Sequence, residues 1–107
     1  MFKNTTCDKG LSPKNTSLTF DFHYENIIVK EVKPDCGCTA AKIDNKNNVI
    51  KLVYTTPRDV SPHLMNMNIT KQDYSKSAIV KFIFINDIDK KEQVISITLK
   101  GYIEKNK

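Results

Sequence analysis

The chain has 107 residues, 17 of them basic and 12 acidic, so its formal net charge is +5. This length fits one domain with a modest core, and 39% hydrophobic with 27% charged residues excludes a disordered chain. No apolar run approaches the roughly 20 residues of a membrane-spanning helix. The start of the chain lacks the apolar h-region of a signal peptide, which leaves open a cytosolic protein or a removed leader.

The basic surplus consists almost entirely of lysine, because Arg58 is the only arginine in the chain. Arginine is the usual residue for bidentate contacts with phosphates and guanine bases. The lysines instead alternate with apolar residues, as on solvated strand faces, at Lys30, Lys51, Lys81 and Lys100. We therefore expect no nucleic-acid partner.

The first third of the chain changes from irregular to strongly alternating. Residues 1–17 are polar and lack clear periodicity, so we expect a tail or a poorly defined first strand there. Residues 18–24 alternate with a period of two, which is typical of a half-buried strand. The apolar face of that strand carries Leu18, Phe20, Phe22 and Tyr24.

The middle of the chain predicts two more strands separated by a corner and a turn. Residues 27–32 are rich in β-branched side chains, and Pro34 ends this strand because proline lacks a backbone donor. The small residues 36–41 follow without a strand of their own. The polar run 44–48 predicts a turn, and residues 49–54 predict the next strand.

The last third contains the most apolar segment. Residues 65–69 alternate weakly and give a minor strand candidate, and residues 71–77 are interpreted as a polar connection. Residues 78–85 are apolar on both faces, so we expect a sheet to cover one face and a loop or partner the other. After a turn at 86–91, residues 94–103 predict the last strand.

These elements together predict the fold class. Several short strands separated by turns, with no helical period in any long segment, predict a β-sandwich or a β-barrel. Alternation, together with the family resemblance described next, assigns nine side chains to the core of an antiparallel two-sheet sandwich: Phe20, Phe22, Val29, Val32, Leu52, Phe82, Phe84, Ile97 and Leu99.

A local sequence pattern adds a family resemblance. The pattern runs over residues 26–39, where the β-branched strand at 27–32 and then Lys33-Pro34-Asp35 lead into Cys36-Gly37-Cys38-Thr39. In this the chain resembles a bacterial domain-of-unknown-function family whose hallmark is a strand followed by Cys-Gly-Cys-Thr. The similarity spans residues 18–103 through four further elements: the aromatic strand at 20–22, the strand at 49–54, Asn86-Asp87 and the closing strand at 97–103.

The resemblance implies a Hydin-like fold: all-β, an immunoglobulin-like antiparallel β-sandwich over residues 18–107. It also implies export to the periplasm or cell envelope. The opening strand of the family is not evident in residues 1–17, and its loss exposes a sheet edge. We therefore expect a protein partner that pairs with such an edge, and a tendency to self-associate.

The three cysteines, Cys7, Cys36 and Cys38, leave at least one thiol without an intramolecular partner. At Cys36-Gly37-Cys38, one interpretation is structural: both side chains pack as small hydrophobes at a tight corner that needs the backbone freedom of Gly37. A second is a metal site, in which both thiolates bind copper or zinc. A third is a redox pair, whose direct disulfide is labile. We favour the structural interpretation because no third ligand is identifiable.

Other candidate ligands are weaker. His23 lies on the polar face of a strand and His63 in a proline-flanked loop, and their spacing does not bring them together. Met65 and Met67, with His63, suggest a soft copper surface, although alternating methionines on a strand more often pack. The acidic run 87–92 lacks the glycine and ligand number of a calcium loop, so we expect an ordinary hairpin turn.

The sequence contains no nucleophile elbow, phosphate-binding loop or paired-histidine metalloprotease motif, so we predict neither an enzyme nor a cofactor. The leading hypothesis is a non-enzymatic cell-envelope module that binds another protein or acts as a structural domain. The alternative is a thiolate metal-binding or redox protein that uses Cys36 and Cys38.

Overall fold

The computed structural model describes residues 1–60 and 70–104, and its regular elements are all strands. No helix in these two ranges is long and apolar enough to cross a membrane. The strands are β1 (Thr6–Leu11), β2 (Ser17–His23), β3 (Ile27–Pro34), β4 (Thr39–Asp44), β5 (Val49–Thr55), β6 (Lys71–Phe84) and β7 (Gln93–Glu104).

Two sheets pack face to face. One has four strands in the order β1-β7-β6-β3, and the other has three in the order β2-β5-β4. The predicted all-β, two-sheet sandwich is confirmed. The expectation of purely antiparallel pairing is wrong at one place, because β1 runs parallel to β7 while the other neighbouring strands are antiparallel.

The amino-terminal residues contact both sheets in turn. The backbone N–H of Lys3 donates to the carbonyl of His23 at 2.8 Å, and that of Glu25 donates to the carbonyl of Met1 at 3.0 Å, along the edge of β2. The chain then crosses to the other sheet, where β1 pairs with residues 98–102 of β7. Residues 1–17 thus contain an outer strand. An open edge was expected only if residues 1–17 lacked an outer strand. At β7 this edge is covered, because β1 pairs with it.

Four predicted strands correspond to β2, β3, β5 and β7 within two residues at either end. The polar connection predicted at 71–77 is wrong, because these residues form the first half of β6 and pair with β7 from Glu104 to Thr98. Most of their side chains are polar, so this half of the strand lacks the alternating apolar pattern by which a strand is recognised in a sequence. The candidate strand at 65–69 lies outside the described residues.

The sequence did not predict β4. It is an edge strand of the three-stranded sheet, and Ala40, Ala41 and Lys42 in its centre are exposed. Short, polar edge strands carry little of the alternation on which sequence prediction depends.

The core lies between the two sheets. Of the nine predicted core side chains, Val32 and Phe84 are partly buried against the core, and the other seven are buried within it. Both exceptions lie towards the ends of their strands, where the sandwich is less completely covered. The buried set also includes Tyr24, Ile27, Ile50, Tyr54, Tyr74, Ala78 and Val80.

Candidate functional site

The Cys36-Gly37-Cys38 segment forms a corner between the two sheets. It follows β3, which belongs to the four-stranded sheet, and precedes β4, which belongs to the three-stranded sheet. Cys36 and Cys38 are joined by a disulfide, with 5.3 Å between their Cα atoms. The third cysteine, Cys7, has a free thiol on β1, and β7 and β6 lie between β1 and β3 in the sheet order.

Hydrogen bonds fix the corner on both sides of the disulfide. The backbone N–H of Asp35 donates to the carbonyl of Ser77 at 3.0 Å, and the Ser77 hydroxyl donates to the Asp35 carboxylate at 3.1 Å. On the other side, the N–H of Thr39 donates to the carbonyl of Cys36 at 3.3 Å. The bonds to Ser77 connect the corner to β6, and the bond from Thr39 to Cys36 closes the turn; neither sulfur takes part in them.

The two cysteines differ in residue exposure and in the contacts of their sulfurs. Cys38 is exposed and Cys36 is half-buried. The N–H of Cys38 donates to Sγ of Cys36 at 3.1 Å, and Sγ of Cys38 lies 3.8 Å from the hydroxyl of Thr39. Cys38 is therefore the more exposed of the two residues, while the sulfur of Cys36 receives a backbone donor.

The structural interpretation of the two cysteines is wrong in its main requirement, which was burial of both side chains. Thr39, not either cysteine, is buried at this corner. The loop 35–38 has only four residues, and its two ends lie in different sheets. It is therefore too short to fold back over the core. Gly37 is not needed for its backbone freedom either. Its φ is not in the left-handed region, and an added Cβ would meet no atom within 4 Å.

The disulfide also constrains little of the unfolded chain. A cross-link that closes a loop of three residues removes chain entropy equivalent to about 1.6 kcal/mol, against about 3 kcal/mol for a 15-residue loop. The hydrogen bonds around the corner therefore hold its conformation, and the disulfide adds only a small stabilisation.

The metal hypothesis for Cys36 and Cys38 stays a prediction for the reduced chain, because a disulfide leaves no thiolate to act as a ligand. Within residues 1–60 and 70–104, no group of three or more His, Cys, Asp or Glu side chains could hold a metal ion. His23 is exposed on β2. His63, Met65 and Met67 lie outside the described residues, and with them the suggested copper surface.

The acidic run 87–92 belongs to the connection between β6 and β7, as expected for a hairpin turn. The carboxylate of Asp87 accepts the N–H groups of Asp89 at 3.1 Å and of Lys91 at 3.3 Å. The carboxylate oxygens are thus occupied in shaping the turn.

Two open grooves lie away from the disulfide. One, of about 390 Å³, is lined by Lys3, His23, Tyr24, Glu25, Asn47 and Asn48. The pKa of Tyr24 is raised, first by burial and then by the nearby charge of Asp44. The other groove, of about 310 Å³, is lined by Asp8, Gly10, Asp73, Tyr74, Ser75, Lys100, Gly101 and Tyr102. Neither lining includes a cysteine, and neither suggests a particular reaction.

Four exposed apolar side chains lie along the hairpin of β6 and β7 and their connection. We call Ile79, Ile85, Ile88 and Val94 the outer patch; Val94 is 60% exposed and Ile88 is 95% exposed. In the β-sheet register Val94 lies opposite Lys81. Val94 and Ile79 are therefore diagonal neighbours on the outward face of the sheet.

The prediction that both faces of residues 78–85 are covered is met only in part. Ile83, on the same outward face, is buried and lies opposite Ile28 of β3. Ile79 and Ile85 stay exposed. The double-faced apolar pattern of this strand is the sequence feature that indicates the patch, whereas Ile88 and Val94 were not singled out from the sequence.

Comparisons with protein-family models, with curated proteins and with solved structures gave no match to this chain.

Proposed function

We propose that this chain is a non-enzymatic, immunoglobulin-like binding module of the bacterial cell envelope, and that the outer patch is the surface that contacts its protein partner. The observation that carries the proposal is the grouping of exposed apolar side chains. Of the six large hydrophobic side chains exposed among the described residues, four belong to β6, β7 or their connection. Grouped exposed apolar side chains commonly mark interaction sites.

The strand order supports the immunoglobulin-like assignment. The order β2-β5-β4 in one sheet and β3-β6-β7 in the other corresponds to the B-E-D and C-F-G arrangement of such sandwiches. The resemblance through Cys36-Gly37-Cys38-Thr39 points the same way.

The envelope location is supported by the resemblance and by the disulfide. Disulfides form and persist in oxidising compartments, among them the bacterial periplasm, and are rare in the cytosol. A Cys36–Cys38 disulfide fits an exported domain.

The charges around the outer patch specify the partner further. Lys33 lies opposite Ile79 in the sheet register, and Lys90 and Lys91 follow Ile88 in the connection to β7. The Lys81–Glu31 ion pair, at 3.5 Å, is solvent-exposed and contributes little to stability. Asp87, Asp89 and Glu92 of the same connection carry the opposite charge, so the rim of the patch is mixed in sign. We infer a protein partner whose contact surface has an apolar centre and a polar rim.

Photo-crosslinking tests this proposal. A photoreactive residue replaces Val94 in one variant and Lys51, exposed on the other sheet, in a matched control. The proposal predicts a cross-linked envelope protein from the Val94 position alone, and its loss when Ile79→Lys is added.

Equal cross-linking from both positions, or none from Val94, would refute the assignment of the surface. Cross-linking of the purified chain to itself at Val94 would mean instead that the patch pairs two copies, contrary to the proposal of a different partner.

A further inference from the structure

We propose that the Cys36–Cys38 disulfide is redox-active and exchanges reversibly with thiols while the sandwich stays folded, with Cys38 as the sulfur that is attacked. The inference is independent of the outer patch and of any partner that binds there. It rests on three features of the corner: access to one sulfur, a hydrogen-bond donor on the other, and anchoring that does not depend on the bond between them.

Access selects the attacked sulfur. Thiol–disulfide exchange requires a thiolate to reach one sulfur of the bond, and exposed disulfides are the more reactive ones. Cys38 is exposed and Cys36 is half-buried. A thiol that approaches from solvent therefore meets Sγ of Cys38 first.

The hydrogen bond at Cys36 favours the same direction. When Cys38 is attacked, the electron pair of the broken S–S bond leaves on Sγ of Cys36, which becomes a thiolate. The N–H of Cys38 already donates to that sulfur at 3.1 Å. A donor to the charged form lowers the free energy of the thiolate, and a better leaving thiolate speeds exchange.

The anchoring keeps the two thiols together after reduction. The bonds between Asp35 and Ser77, and between Thr39 and the carbonyl of Cys36, do not involve sulfur. Opening the disulfide leaves both ends of the corner fixed in β3 and β4. The thiols can then close again without a search through unfolded conformations.

The reaction is balanced as follows. A thiolate RS⁻ bonds to Sγ of Cys38, and the Cys36–Cys38 bond breaks with its electron pair on Cys36. A second thiolate attacks the sulfur of R in the mixed disulfide, which forms RSSR and releases the Cys38 thiolate. Two RSH molecules give up two electrons and two protons, and the protein dithiol takes up both. A disulfide oxidant reverses each step.

Redox titration tests the reversibility. A Cys7→Ala background removes the third thiol, and a chelator excludes metal-catalysed oxidation. The protein is equilibrated in stepped ratios of reduced to oxidised dithiothreitol, quenched in acid and alkylated, and its mass and circular dichroism are recorded. We expect both cysteines to become alkylated together, an unchanged spectrum, and recovery of the disulfide when the ratio is reversed. Labelling that appears only with loss of the β-sheet spectrum, or only after denaturant is added, would overturn the proposal.

Single variants test the assignment of the attacked sulfur. In the same background, Cys36→Ser leaves the exposed Cys38 thiol, and Cys38→Ser leaves the half-buried Cys36 thiol. Each is mixed with oxidised glutathione over a range of pH, and mixed-disulfide formation is followed by mass spectrometry, so that the two rates are compared per thiolate. We expect a several-fold faster rate for Cys38. Equal rates, or a faster rate for Cys36, would refute the role of exposure in selecting Cys38.

Discussion

At the scale of single residues, the side chain of Asn45 joins the two sheets. Its amide oxygen accepts the N–H of Val29 at 3.0 Å, and its NH₂ group donates to the carbonyl of Val29 at 3.0 Å. The same oxygen accepts the hydroxyl of Tyr24 at 2.5 Å. Since β3 is an edge strand, Asn45 pairs with Val29 as a neighbouring strand would.

Replacing Asn45 is therefore expected to destabilise the fold. Asn45→Ala leaves both backbone groups of Val29 and the Tyr24 hydroxyl without this partner, at a cost of about 1–3 kcal/mol. Urea unfolding followed by circular dichroism measures the change. Asn86→Ala, at an exposed position in the β6–β7 connection, is the control and is expected to change stability by less than about 0.5 kcal/mol. Equal effects of the two variants would show that the Asn45 bonds are not important.

Gly101 shows a steric requirement, also at the residue scale. A Cβ at this position would lie 2.6 Å from Cζ of Tyr74 and 2.9 Å from the carbonyl oxygen of Gly10. Tyr74 is buried and cannot move freely, because its hydroxyl is hydrogen-bonded to that of Ser12 at 2.7 Å. The crowding therefore involves a fixed side chain and a backbone atom.

The two glycines Gly101 and Gly37 form a matched pair for a test. Gly101→Ala is expected to destabilise the protein by about 1–3 kcal/mol, because either Tyr74 or β1 must shift. Gly37→Ala, where an added Cβ meets nothing within 4 Å, is expected to be nearly neutral. Thermal and urea unfolding of both variants check this, and a large loss at Gly37 would contradict the geometry of the corner.

At the scale of strands, β1 is the element that closes the four-stranded sheet. It pairs with β7 from Thr6 opposite Thr98 to Leu11 opposite Tyr102. Phe2, just before β1, packs edge-on against Tyr24 and Phe82. The start of the chain thus contributes both to an edge and to the core.

Removing β1 is expected to expose the edge of β7 and cause association. A variant without residues 1–11 leaves backbone donors and acceptors of β7 unpaired, and such edges pair with other chains. Sedimentation velocity over a range of concentrations should show oligomers. A variant without residues 1–4 keeps β1 and should stay at the assembly state of the full chain, although loss of Phe2 lowers its stability by about 1–3 kcal/mol. No difference in assembly between the two variants would argue against the role of β1.

At the scale of the whole molecule, one end of the outer patch lies beside the disulfide corner. Pro34, just before the corner, is opposite Ala78 of β6. Ile79 of the outer patch directly follows Ala78, whereas Ile85 lies seven residues beyond Ala78, about 23 Å away at the usual rise of a strand. Variants at Ile85 and Ile88, at the far end of the patch, can therefore test binding without altering the cysteines, and variants at the cysteines can test exchange without altering the hairpin.

The sequence by itself determined the all-β class, four of the seven strands and most of the core, because period-two alternation reports directly which side chains face a sheet interior. It did not reveal β4 or the first half of β6, whose side chains are polar or small, nor the parallel pairing of β1 with β7, which joins opposite ends of the chain. At the candidate site, the sequence singled out Cys36 and Cys38 and favoured their burial over a metal site or a redox disulfide. Only the tertiary structure decided that they form a disulfide with Cys38 exposed and Cys36 half-buried, because exposure at a corner depends on how two sheets meet and not on the local residues.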